Sequence, residues 1–146
     1  MNIWQFSRLV SSRLMRWGLA NVVVGTIISR HRDPLWRGVG TQAAGWGLIN
    51  ALIALFGAIS TQNKIAALPN PGETAAQMKE KTFLKRLLWI NAGLDVLYVL
   101  GGAWLARRDT GEGKQHGHGI GIILQGSFLL VFDVLHALFI EDVSPR

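Results

Sequence analysis

Apolar positions crowd into three long windows, roughly residues 39–59, 87–105 and 120–140, with a shorter one at residues 14–28 behind an arginine-rich flank. The three long windows hold about 19–21 residues each, which at about 1.5 Å per residue crosses the roughly 30 Å of bilayer hydrocarbon. The pattern predicts an all-α membrane protein with four transmembrane helices. Ahead of the first, Ile3, Phe6, Leu9, Val10 and Leu14 recur at helical spacing with Arg8, Ser12 and Arg13 between them. This N-terminal amphipathic helix either lies on an anionic leaflet or simply extends the first span.

Polar punctuation separates the spans. Arg30-His31-Arg32 ends the first, and Asp33-Pro34 supplies an N-cap followed by proline at the first helical position. In the polar segment at residues 61–82, Asn70, Pro71 and Glu73 have the order of an N-cap, a first-turn proline and a capping-box partner, so the third helix is expected to begin there. Arg107-Arg108 closes the third span ahead of a Gly- and His-bearing loop at residues 109–119. The chain then reads as a single domain: hairpin one at about residues 14–59, a cytosolic linker at about 60–82, and hairpin two at about 83–140.

The net charge of +6 would suit nucleic acid. The basic residues flank the spans, however, so the chain reads as a membrane protein whose contacts are lipids, with no nucleic-acid partner. Nine Lys and Arg lie in the N-terminus, residues 61–86 and the C-terminus, against six in the other two loops, which favours cytosolic termini. No small-x-small site precedes the first turn, so no cleaved signal peptide is expected. The absence of cysteine excludes disulfides and thiolate chemistry.

The two hairpins look like copies. Gly38, Gln42, Asn50 and Ala54-Leu55-Phe56 recur at one constant offset as Gly121, Gln125, Asp133 and Ala137-Leu138-Phe139. A duplicated hairpin implies a compact antiparallel bundle built from two similar halves. Asn21, Asn50, Asp95 and Asp133 then fall about 10–14 Å inside the same membrane edge, one polar group per helix in one layer. Leu88, Asn91, Asp95, Tyr98 and Gly102 share one face of the third helix, while Asp133 and His136 are surface neighbours on the fourth.

These residues are the candidate site: Asn21, Asn50, Asn91, Asp95, Tyr98, Gln125, Asp133 and His136. An asparagine in a span is most simply an interhelical hydrogen bond, and glycines such as Gly25, Gly45, Gly47, Gly101, Gly102 and Gly126 are sites of close helix approach. Trp17, Trp36, Trp89 and Trp104 read as interface anchors. Intramembrane carboxylates are costly and functional by default, so Asp95 and Asp133 point to a proton, cation or small polar ligand. Two at one depth repel if both ionise, hence at least one is expected to be protonated. A bundle whose buried Asn/Asp layer only fixes helix pairing is the alternative.

His136 is either a proton relay or a solvated or lipid-facing side chain. His116-Gly117-His118 lacks further donors at metal-site spacing and reads as a flexible loop, so no metal or cofactor is expected. No nucleophile–base grouping or phosphate cradle stands in a motif context, so the chain is not expected to be an enzyme. Four short helices leave little room for a wide pathway, and transport would call for a homodimer or a membrane-protein partner.

The second hairpin carries a resemblance. Asn91-Ala92-Gly93-Leu94-Asp95 with Tyr98 and Gly101-Gly102, then Leu124-Gln125-Gly126-x-Phe128-Leu129-Leu130-x-Phe132-Asp133, is similar to a family of small uncharacterised bacterial four-helix membrane proteins. Trp17-x-x-Ala20-Asn21 and Trp46-x-x-x-Asn50 extend it more loosely into the first hairpin. The resemblance implies a multi-pass protein of the bacterial cytoplasmic (inner) membrane, and it carries over no catalytic residue.

Overall fold

The computed structural model describes residues 1–108 and 113–144. Among them stand four α-helices and no strand: α1 (Ile3–Ile28), α2 (Pro34–Ala67), α3 (Thr74–Arg107) and α4 (Lys114–Phe139), with a single 3₁₀ turn at Ile140–Asp142. The chain folds as an antiparallel bundle. α1 packs along α2, α3 along α4, and the two hairpins meet chiefly through α2 and α4.

Local chemistry explains the helix starts. The Asn2 side chain accepts from the Gln5 amide at 3.0 Å while the Gln5 side chain accepts from the Asn2 amide at 3.1 Å, a capping box that starts α1. The Asp33 carboxylate accepts from the Leu35 amide at 2.9 Å, and Pro34 occupies the first turn of α2, as the sequence suggests. Gly113 precedes α4 with φ +72°, a left-handed conformation that suits glycine.

Residues 3–15 follow the second of the two readings their pattern allows: they extend the first span as the first half of one continuous α1, and their apolar face is buried in protein. Three other expectations about boundaries change. The polar segment at residues 61–82 is mostly helical, because α2 runs to Ala67 and α3 begins at Thr74. Asn70 is not the cap of α3: its side chain accepts from the Gly72 amide at 3.1 Å in a turn, and Thr74 is the first helical residue. Proline at 69 and 71 disfavours helical backbone just before each ring, which holds the helix back until that turn is complete. His116, Gly117, His118 and Gly119 are also helical, as the first turns of α4. The rest of that expected loop, residues 109–112, lies outside the described residues.

One end of the bundle has an apolar core. Ile3, Trp4, Phe6 and Val10 of α1 meet Leu84 and Leu88 of α3 and Phe132, Ala137, Ile140 and Val143 near the C-terminus. Trp4 donates its indole N–H to the Pro71 carbonyl at 2.8 Å, tying the α2–α3 turn to the same end. Lys81 donates to the Glu141 and Val143 carbonyls, each at 2.9 Å. Both termini and the α2–α3 turn therefore sit together.

The middle of the bundle inverts the pattern of a water-soluble protein. Asn21, Asn50, Asp95, Gln125, Asp133 and His136 are buried, while Leu19, Ile27, Ile53, Phe56, Leu97, Val131 and Leu138 are exposed. Apolar side chains face outward when the solvent is lipid. α2, α3 and α4 with its 3₁₀ extension are each long and apolar enough to cross a membrane. α1, which carries Arg8, Arg13 and Arg16, does not reach that apolarity, although its second half shows Leu19, Val23, Val24 and Ile27 outward.

Small residues let the helices touch. A methyl group at Gly18 would meet the Gly47 carbonyl and the Ala51 amide at 2.7 Å, and one at Gly25 would run into the Ala44 backbone. Gly102 and Gly119 bring α3 and α4 together in the same way. Gly45 and Gly101 do not follow the close-approach expectation, for no atom lies within 4 Å of a methyl placed at either.

Candidate functional site

The expected polar layer divides in two. On one side, Gln125 of α4 donates to the Asn21 side-chain oxygen at 2.7 Å, and Asn21 in turn donates to the Trp17 carbonyl of its own helix at 2.9 Å. Trp17 stacks on Phe128 with ring centroids 3.5 Å apart, so it serves as packing between α1 and α4 rather than as an interface anchor. Trp36, Trp89 and Trp104 are exposed, as anchors are. The Asn21–Gln125 bond joins the first and last helices across the bundle.

On the other side, α2, α3 and α4, with Leu14 of α1, border a hollow of about 200 Å³ that opens outward between Ile49, Ile53 and Leu94. Asn50, Asn91, Asp95, Tyr98 and Asp133 all line it, with Trp46, Leu14, Ile49, Ile53, Leu94 and Leu129 as the apolar walls. Helical spacing accounts for the convergence: Asn91, Asp95 and Tyr98 are successive neighbours on one face of α3, and Trp46 precedes Asn50 by one turn of α2. Trp46 meets Tyr98 edge to face at 4.8 Å between centroids, bridging α2 and α3.

Asp95 of α3 and Asp133 of α4 meet on this hollow, close enough for each to influence the other. Two neighbouring carboxylates repel in a site poor in water, so the pair is favoured when one of them carries a proton. Asp95 is 3% exposed and Asn50 2%, yet the Asp95 Oδ2 and the Asn50 Nδ2 have no hydrogen-bond partner. Trp17 Nε1 and Gln125 Oε1 are orphaned in the same way, and all four atoms are closed to a water-sized probe, so each is a cost that the packing around it must offset.

A second cavity, about 320 Å³, shares Leu14, Ile53, Asn91 and Asp133 with the first and extends toward the end that holds the termini. It passes the Ser7–Thr61 hydroxyl pair, 2.8 Å apart, and reaches Lys64 and Glu80. There Lys64 bonds both Glu80 oxygens at 2.9 and 3.0 Å, and a third cavity of about 510 Å³ continues past them. The three hollows follow the α2–α3 seam from the carboxyl pair outward.

His136 does not join the cavity and faces neither water nor lipid. It is 4% exposed and packed by Phe6 and Phe132. Its Nδ1 lies 2.7 Å from the Phe132 carbonyl and must donate to it; Nε2 then accepts from the Arg13 guanidinium at 3.1 Å. Arg13, Trp46 and the Lys64–Glu80 pair were missing from the sequence-derived site. Arg13 lies one helical turn before Trp17, on the face that meets α4, and that spacing was the available signal.

Among the described residues no three His, Cys, Asp or Glu side chains cluster as a metal site would require. What the arrangement offers chemically is two carboxyl groups and two amides gathered on one hollow whose remaining lining is mostly aliphatic and aromatic. No characterised protein and no solved structure matches the chain. Residues 13–134 match the family of unknown function DUF6992, and the chain belongs to that family.

Proposed function

We propose that this protein is a multi-pass bacterial inner-membrane protein that binds a small cation at Asp95 and Asp133. The convergence of two carboxyl groups, Asp95 and Asp133, with Asn50 and Asn91 on one hollow among apolar side chains carries the reading. In the proposal α1 crosses with the other three helices, the two hairpins descend from one duplicated unit, and both termini face the cytosol. The linked cavities along the α2–α3 seam give the cation its route from that side. Passage across the membrane would use a homodimer or a membrane-protein partner, since the opposite end is closed by contacts such as Gly38 on Gly117 and His118. The protein acts by binding and not as an enzyme.

The test is the thermal midpoint of purified protein in chlorides of sodium, potassium, ammonium and small organic ammonium ions at fixed ionic strength. At a hundredfold excess over Kd, binding adds about 2.7 kcal/mol, which raises the midpoint by several degrees. The reading expects a saturable rise with at least one cation, abolished in the Asp95→Asn/Asp133→Asn double variant. No rise with any of them, or an equal rise in the double variant, would remove it. The second reading, a bundle whose polar residues only fix helix pairing, is favoured by the buried Asn21–Gln125 hydrogen bond between α1 and α4 and gains ground from that negative result.

A further inference from the structure

α2 and α3 are bridged at two levels and open in between. Near the end that holds the termini, Lys64 bonds both Glu80 oxygens at 2.9 and 3.0 Å. Deeper in, Trp46 meets Tyr98 edge to face at 4.8 Å between centroids. The two hairpins meet chiefly through α2 and α4, which leaves the α2–α3 side ajar. What lies there is a slot, the hollows of about 510 and 320 Å³, rimmed along the second by exposed Ile53, Phe56, Phe83 and Leu87. In a protein whose apolar side chains face lipid, such a rim opens onto acyl chains rather than water.

Dimensions and charge select the occupant. From Lys64 to Ile53 α2 rises about 16 Å, close to the roughly 15 Å of hydrocarbon in one leaflet. An α-helix with its side chains is about 10–12 Å across, and two helices held together at both levels do not admit one between them. A single acyl chain fits. Around the outer hollow the charged residues are Lys64, Lys79 and Glu80. Lys64 neutralises the buried Glu80, so exposed Lys79 leaves that mouth positive. Ser60 adds a hydroxyl, and Trp4 supplies the amphipathic ring found at headgroup depth. At the inner end the lining turns polar at Asn91 and Asp133, which sets where an apolar chain stops. We infer that the slot holds one anionic phospholipid of the surrounding bilayer, its phosphate at Lys79 and Ser60 and one acyl chain between α2 and α3 as far as Ile53. This goes beyond the cation-binding reading and does not depend on it; a lipid in place closes the route drawn there.

Native mass spectrometry of the full chain in detergent, with phosphatidylglycerol or phosphatidylcholine of equal chain length added, counts the lipids bound per protein. One phosphatidylglycerol per chain is expected to be retained, about fivefold more tightly than phosphatidylcholine, the factor that one lysine beside an anionic headgroup contributes. Lys79→Gln, a change on the exposed surface, should erase that preference and leave the thermal midpoint in lipid-free detergent unchanged. Ser60→Trp fills the place where the two hollows join and should lower retention of both lipids at least tenfold. Equal retention of the two lipids by the parent, a preference that survives Lys79→Gln, or undiminished retention by Ser60→Trp would each overturn the assignment. A lipid-free dimer would overturn it as well and place a second copy of the chain over the slot.

Discussion

The Asn21 and Asn50 side chains are both buried in the bundle, and their hydrogen-bonding surroundings differ. Asn21 is satisfied on both sides, by the Trp17 carbonyl and the Gln125 amide. Asn50 is more deeply buried and keeps an unpaired donor. A fastener and a ligand group should respond differently to change. Gln125→Leu is expected to cost about 0.6–1.7 kcal/mol, the range for a side-chain hydrogen bond between membrane helices, without altering cation response. A double-mutant cycle with Asn21→Ala should show that energy as coupling between the two residues. Sequence reasoning found Asp95, Asp133 and Asn50 because polar residues in a span are few and helical spacing fixes their face. It missed the partition of Asn21 away from them, since that depends on how α1 is rotated against α4.

Elements were legible where the signal is local. Asp33-Pro34 marks the start of α2 with side-chain chemistry visible in two adjacent residues. Hydropathy failed beyond Ile59, because Thr61, Gln62, Asn63 and Lys64 look like a loop although helical hydrogen bonds need no apolar side chain. The glycines at 117 and 119 likewise read as loop punctuation, yet they sit in α4 where Leu35 and Ala106 press against it. Seams built this way tolerate no added volume. Gly25→Leu is expected to destabilise by more than about 3 kcal/mol, above the ordinary cost of overpacking, since the obstacle is the Ala44 backbone. Gly101→Leu, which faces open space, should shift stability by no more than about 0.5 kcal/mol. Thermal midpoints of the two variants, side by side in one detergent, check the contrast.

As a whole the molecule is a bundle with its apolar side chains outside, an apolar plug at the end that holds its termini, and a seam between α2 and α3 that leads inward to a carboxyl pair. Because the chain has no cysteine, single cysteines report topology without background. Asn2→Cys, Gly72→Cys and Ser144→Cys should all react with a membrane-impermeant maleimide from the cytosolic side only, as the proposed orientation requires. Reaction of Asn2 and Ser144 from opposite sides would contradict the bundle itself, which places Ile3 against Ile140 and Val143. The central claim is that the buried pair is a cation site, and an apolar carbodiimide tests it most directly, since it modifies protonated carboxyl groups within a bilayer. Mass spectrometry of the labelled protein should find the adduct on Asp95 or Asp133, formed several-fold more slowly when the bound cation is present. An adduct that forms at the same rate with and without every cation tried would mean that the carboxyl pair binds the helices together and nothing else.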